Sequence, residues 1–148
     1  MPGQNEIDFV FSSQPYKPPI SPRSVFLFSG HMIDAPERKT PRFPASKEGA
    51  AAAAIKDTLN KMKAGPDDIG LCGGACGGDL LFAEACLARG SHVEIRIPFA
   101  EPAFLKKSVI FAGEAWRDRY NAVKNNPLTS FFIMPQVLGP TPEKVNPY

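Results

Sequence analysis

The sequence is poor in the features that mark secreted, membrane-spanning and nucleic-acid-binding proteins. It has only three cysteines, an odd number, which argues against a disulfide framework and favours a reducing, cytoplasmic setting. No apolar run approaches the roughly 18 residues of a membrane span. The N-terminus shows no basic stretch followed by an apolar one, so no secretory signal is expected. The formal net charge of +2 lacks the basic excess of proteins whose main partner is nucleic acid.

Length and composition indicate one domain with proline-rich ends. The 148 residues, 43% of them hydrophobic, fit a single domain that buries its own core. The 16 prolines gather toward the two ends of the chain and leave its centre nearly free of them. We therefore expect a proline-rich N-terminal arm over residues 1–22, a domain over residues 23–135 and an irregular C-terminal tail over residues 136–148.

Short apolar segments alternate with helical patterns along the domain. The segments typical of buried strands cover residues 24–29, 68–72, 92–97 and 130–134. The helical patterns cover residues 46–63, 79–89 and 101–124, and Gly113 indicates a break in the last of them. This alternation predicts βαβ crossovers and a mostly parallel sheet of four to five strands. The fold class expected is a Rossmann-like, three-layer α/β sandwich.

A glycine-rich loop, GGACGG at residues 73–78, lies between the second strand and the second helix. In open parallel sheets, ligands bind beyond the carboxyl ends of the strands, where this loop is expected. Glycines let backbone approach a ligand closely, and the free amides of the following helix can hold a phosphate. The loop lacks the Gly-Lys-Ser/Thr of a Walker loop. The alternative is a tight turn that serves only the packing of helix against sheet.

Polar residues near this loop are candidates for ligand contacts. Asp79, in the first turn of the second helix, would either stabilise the helix terminus or accept a hydrogen bond from a ribose hydroxyl. His31 follows the first strand and would either contact the ligand or bond to loop backbone. Arg38 and Arg42, in the long loop after that strand, would close over an anionic ligand.

The cysteines and the remaining acidic and histidine residues carry less functional signal. No Cys/His quartet has the spacing of a zinc site, so no metal and no cofactor are expected. Cys76 precedes a helix N-terminus, a position that predicts a lowered thiol pKa. Glu84 is expected to face solvent, and His92 is expected at the opposite end of the sheet in a structural role.

The segments FSGH at residues 28–31 and GGACGGD at residues 73–79, with the helix LLFAEACLARG, resemble the SLOG superfamily. This Rossmann-like group includes the DNA-processing Smf/DprA proteins and the LOG cytokinin-activating enzymes. The resemblance covers about residues 24–134 and implies binding of nucleotides or nucleotide-derived ligands at the two loops. It places Ser29, Gly30 and His31 on one side of the pocket. On the other side it implies ligand contacts from Gly73, Gly74, Ala75, Cys76, Gly77, Gly78 and Asp79, with the four glycines around the phosphate.

The chain departs from the LOG enzymes in the residues that serve hydrolysis. Those enzymes carry a P-G-G-x-G-T-x-x-E motif whose glutamate serves in N-glycosidic cleavage. Here Cys72 stands at the proline position, and no glutamate follows at the matching offset. The resemblance therefore implies ligand binding more than hydrolysis.

Three functions follow from these observations. The first is the binding or sensing of a nucleotide or nucleotide-derived small molecule, in which Gly77→Val is expected to block the ligand. The second is an N-glycosidase or phosphoribohydrolase acting on nucleoside monophosphates, with Glu84 or Asp79 as the carboxylate. The third is an assembly domain that joins copies of this chain or further domains of a longer one.

Overall fold

The computed structural model describes residues 16–134, and a sheet of four parallel strands forms its centre. The strands are β1 (Ser24–Leu27), β2 (Asp68–Cys72), β3 (His92–Ile97) and β4 (Thr129–Ile133). They are hydrogen-bonded in the order β1-β2-β3-β4. This sheet confirms the predicted α/β class and is consistent with a Rossmann-like fold. Most of the predicted arm and nearly all of the predicted tail lie outside the described residues.

Four helices connect the strands: α1 (Glu48–Lys61), α2 (Gly78–Leu87), α3 (Glu101–Ser108) and α4 (Glu114–Lys124). Ser46, expected to cap the first helix, lies in a 3-10 turn at Ala45–Lys47, and α1 begins at Glu48. Gly113 separates α3 from α4 with a φ of 124°, which confirms the predicted break. None of the helices within residues 16–134 is long and apolar enough to cross a membrane.

Helices α1, α2 and α4 pack on the same face of the sheet. The strand register places Gly70 and Phe131 on one face. A Cβ added to Gly70 would lie 2.7 Å from Sγ of Cys86, so α2 lies directly on β2 there. Helix α4 follows on the same side, with the Tyr120 ring edge-on to Phe131 at 6.3 Å, and α1 packs along α2. The second helical layer of the predicted three-layer sandwich has no counterpart among residues 16–134.

Aromatic side chains fill much of the space between these helices and the sheet. Trp116 and Tyr120 of α4 are buried and Arg117 is exposed, as a helix with its aromatics inward requires. Phe28 stacks on Phe82 of α2 with ring centroids 5.0 Å apart, which joins the end of β1 to the helical layer. The core therefore reaches the carboxyl ends of the strands, where the candidate site lies.

An ion pair between the exposed Arg23 and the buried Asp68 fixes the opposite end of the sheet. The guanidinium of Arg23 donates to both carboxylate oxygens of Asp68, at 3.2 and 2.6 Å. Asp68 is fully buried and also accepts the Gly65 amide at 2.9 Å. The hydrogen bond from Arg23 lowers the pKa of Asp68 below its usual range, against the opposing effect of burial. The pair ties the start of β1 to the start of β2.

Replacement of Arg23 by methionine is expected to lower the melting temperature near pH 7 by several degrees, because it leaves a buried carboxylate without its cation. A lowered carboxylate pKa gives stability that is present above about pH 4 and is lost as the pH falls. The difference in melting temperature between the wild type and Arg23→Met should therefore become smaller under acid conditions. Thermal melts followed by circular dichroism measure both effects. Arg117→Met, at an exposed pair with Glu114, is the control and should melt near the wild-type temperature.

Candidate functional site

A cleft of about 440 Å³ lies at the carboxyl ends of β1, β2 and β3. Residues 28–32 line one side, the loop after β2 lines another, and the end of β3 closes it. Its volume is within the range of about 300–1,000 Å³ that is usual for small-molecule sites. Of the residues predicted from the sequence, it brings together Ser29, Gly30, His31, Arg42, Gly73, Ala75 and Asp79.

The two predicted loops meet because the chain after β1 pairs with the start of α2. Met32 forms an isolated antiparallel bridge with Gly77. The Gly78 amide donates to the His31 carbonyl at 3.1 Å, and the Ile33 amide donates to the Cys76 carbonyl at 3.2 Å. These bonds hold the loop after β1 against the N-terminus of α2.

Asp79 provides a half-buried carboxylate in the cleft. Its Oδ2 accepts the Ala75 amide at 3.3 Å, and the nearby backbone amides of Gly73 and Gly30 also favour its charged form. Partial burial raises the pKa of Asp79 to about 6, although these three amides act in the opposite direction. The side chain therefore links the loops after β1 and β2, and it still lines the cleft.

Part of the glycine loop faces the protein interior and not the cleft. Gly74 has a φ of +74°, and a Cβ there would lie 2.8 Å from Cγ2 of Ile95. Gly77 has a φ of +94°, and its Cβ would lie 2.5 Å from the Ile33 amide nitrogen. Gly78 packs against Phe28. These three glycines serve the close packing that the sequence offered as the alternative to ligand binding.

The predicted lowering of the Cys76 thiol pKa is wrong. Its side chain is fully buried and does not line the cleft. Burial raises the pKa of the thiol to about 12, which outweighs the effect of the neighbouring helix N-terminus. The pKa of Cys86 is likewise raised to about 12 by burial, and that of Cys72 is raised further. All three cysteines are free thiols in the core.

The loop arginines lie around a second, smaller pocket of about 270 Å³ next to the cleft, referred to here as the side pocket. Arg38 and Lys107 line the side pocket, and Arg42 and His31 line both it and the cleft. Arg38 lies 3.5 Å from a carboxylate oxygen of Asp34. Arg42 thus contacts the candidate site directly, whereas Arg38 reaches only its extension.

Sequence reasoning missed two cations, Arg96 and Lys107. Arg96 projects from the end of β3 into the cleft, where it donates to Glu94 at 3.2 Å and lies over the Phe132 ring at 4.5 Å. Lys107 is on α3. No local sequence pattern shows that α3 lies next to the loop after β1. Arg96 could have been found from the sequence, because it lies at the carboxyl end of a predicted strand, where ligands bind in open parallel sheets.

The second carboxylate proposed for hydrolysis lies away from the cleft. Both oxygens of Glu84 accept hydrogen bonds from Arg119, at 2.7 and 2.6 Å. The same guanidinium donates to Glu48 at 2.5 Å, so α1, α2 and α4 meet at this cation. Glu84 is half-buried in that network, not solvent-facing as expected. His92 begins β3, at the end of the sheet opposite the cleft, as predicted.

The site belongs to an α/β domain with a ligand-sized cleft at the carboxyl ends of parallel strands. Within residues 16–134, no three His, Cys, Asp or Glu side chains are grouped closely enough to hold a metal ion. No protein-family model matches the chain, and no curated protein or solved structure is significantly similar to it.

Proposed function

We propose that this chain binds or senses a nucleotide or a nucleotide-derived small molecule in the cleft at the carboxyl ends of β1, β2 and β3. The observation that carries the proposal is a ligand-sized cleft lined by one half-buried carboxylate, Asp79, with cations around it, among them Arg42 and Arg96. A nucleotide needs an acceptor for ribose hydroxyls and positive charge for phosphate, and the cleft offers both. The resemblance of its two loops to the SLOG superfamily supports the same class of ligand.

The walls of the cleft suit the apolar part of such a ligand. Phe28 and Pro98 line it, and Phe28 is fixed in place by its stack on Phe82. An aromatic ring held rigidly by a second ring is a surface on which a base can stack at little entropic cost. Asp79 at the base of the cleft would then accept from hydroxyl groups of the sugar.

A thermal-shift screen against nucleotides, ADP-ribose, NAD and cyclic nucleotides tests the proposal. A ligand that binds only the folded state stabilises it by mass action, by about 2.7 kcal/mol at a concentration 100 times its Kd. Ser29→Trp is expected to abolish the shift, because Ser29 is exposed on the cleft wall and the indole would fill the cleft. Ser46→Trp, at an exposed position outside the cleft, should keep it. A shift that survives Ser29→Trp, or no shift with any of these ligands, contradicts the proposal.

The alternative function is hydrolysis of an N-glycosidic bond in a nucleoside monophosphate. Asp79 favours this function, since a partly buried carboxylate with a pKa of about 6 is suited to proton transfer near neutral pH. Glu84 gives it no support, because Arg119 holds the Glu84 carboxylate outside the cleft. Product analysis on the same mixtures separates the two functions: an intact ligand supports sensing, whereas a free base that disappears with Asp79→Asn supports hydrolysis.

The third function, assembly, has support at the edge of the sheet. Leu27 of edge strand β1 is 76% exposed and Val25 is 55% exposed, and both line an apolar groove against α1. An exposed apolar edge strand is a typical site for pairing with another chain. Light scattering at increasing concentration tests this function, and a protein that stays monomeric would count against it.

The three free, buried thiols agree with the proposed cytoplasmic setting.

A further inference from the structure

Three amides of the glycine loop are already hydrogen-bonded within the protein. The Ala75 amide donates to Asp79 at 3.3 Å, the Cys76 amide to a carbonyl at the end of α3 at 2.8 Å, and the Gly78 amide to the His31 carbonyl at 3.1 Å. A phosphate that used these amides would have to displace protein acceptors and lie beside the half-buried Asp79 carboxylate, which has the same charge. The glycine loop is therefore an unfavourable position for a second anion.

The side pocket offers positive charge instead. It is continuous with the cleft, because His31 and Arg42 line both cavities. Arg42 and Lys107 make no ion pair with any residue between 16 and 134. Two cations without counter-ions on one concave surface are complementary to a phosphate group.

Among residues 16–134, Asp34 is the only carboxylate that lines the side pocket, and both of its oxygens already have partners within the protein. Its Oδ2 accepts the amides of Arg42 and Phe43 at 2.9 and 3.0 Å, and its Oδ1 faces Arg38. Because Asp34 is matched by Arg38, the charges of Arg42 and Lys107 remain for a ligand. The side pocket thus has a net positive charge, while the neighbouring base of the cleft holds the Asp79 carboxylate.

We propose that the phosphate of the ligand binds in the side pocket through Arg42 and Lys107, and not on the glycine loop. The nucleoside part then occupies the cleft beside Asp79. This inference rests on the proposed function, and it assigns Arg42 and Lys107 as the residues that select a phosphorylated nucleoside over an unphosphorylated one.

The first test compares AMP with adenosine by isothermal titration calorimetry. The wild type is expected to bind AMP at least about tenfold more tightly than adenosine, as two charge-assisted hydrogen bonds would give. In Arg42→Gln/Lys107→Gln this preference should disappear, because the affinity for AMP should fall to that for adenosine. Lys106→Gln, which removes an exposed charge next to Lys107 but outside the pocket, should keep it. A double variant that still prefers AMP as the wild type does overturns the inference.

The second test uses pyrophosphate alone, so that it does not depend on the nucleoside. Titration into ¹⁵N-labelled protein should shift the amide resonances of Arg42 and Phe111, which line the side pocket, and the double variant should lose these shifts. Shifts centred on Gly73 and Ala75, or no shifts at all, overturn the inference. If pyrophosphate shifts the side pocket while no nucleotide binds, the anion site stands and the proposed nucleotide function fails.

Discussion

Replacement of Gly77 by alanine is expected to destabilise the protein by at least about 3 kcal/mol, a large part of the 5–15 kcal/mol usual for a domain. Gly77 has a φ of 94° and a ψ of −129°, a region that side chains of L-residues rarely enter. Its Cβ would also lie 2.5 Å from the Ile33 amide nitrogen and 2.9 Å from the His31 carbonyl oxygen. Because these are backbone atoms, no side-chain rotation relieves the contact. Urea unfolding followed by circular dichroism measures the loss.

Gly49→Ala is the matched control for this prediction. Gly49 lies in the first turn of α1, is exposed, and has nothing within 4 Å of the point that an added Cβ would occupy. The substitution should stabilise the protein slightly, by up to about 1 kcal/mol, because alanine favours helix. A Gly77→Ala protein as stable as the wild type would show that the loop after β1 does not pack on the N-terminus of α2 as described.

The position of Gly77 also changes the meaning of a binding experiment. From the sequence, Gly77→Val was expected to block a ligand at the helix N-terminus. In the structure the added side chain would meet residues 31–33 of the protein itself. A loss of ligand binding in that variant would therefore report the loss of local structure. Ser29, exposed on the cleft wall, is the better position for a blocking substitution.

The fold was predictable because its signals are local. The runs SVFL and DIGLC are short and apolar, and the five consecutive alanines at residues 50–54 favour α1 directly. Gly113 revealed the division between α3 and α4. The arrangement of helices relative to the sheet was harder to predict from the sequence, because it depends on strand order. The order β1-β2-β3-β4 and the helices on one face follow from long-range packing that no single segment encodes.

The candidate site was predictable only in part. The rule that ligands bind at the carboxyl ends of parallel strands located the cleft, with Ser29 and Asp79 in it. The same rule applied to β3 would have added Arg96. Which amides of the glycine loop remain free was beyond sequence reasoning, since it depends on where Asp79 and the end of α3 lie. That Lys107 lines the side pocket could not be predicted from the sequence either, since it depends on the position of α3.

Asp79→Asn is expected to gain about 2 kcal/mol of stability relative to the wild type as the pH rises from about 4 to about 7. Burial raises the pKa of Asp79 to about 6, so the folded protein holds a proton that the unfolded chain has already lost. The wild type therefore loses stability as the pH rises through this interval, whereas asparagine does not titrate. Its amide oxygen can still accept the Ala75 amide.

Asp68, whose lowered pKa has the opposite effect on stability, is present in both proteins and cancels in the difference between them. Urea unfolding of both proteins at several pH values between about 4 and 7 measures that difference. Asp118→Asn, at an exposed position on α4, is the control and should follow the wild type throughout. A constant difference between Asp79→Asn and the wild type over this range would mean that the Asp79 carboxylate is solvated. It would then not be the desolvated acceptor in the cleft on which the proposed function depends.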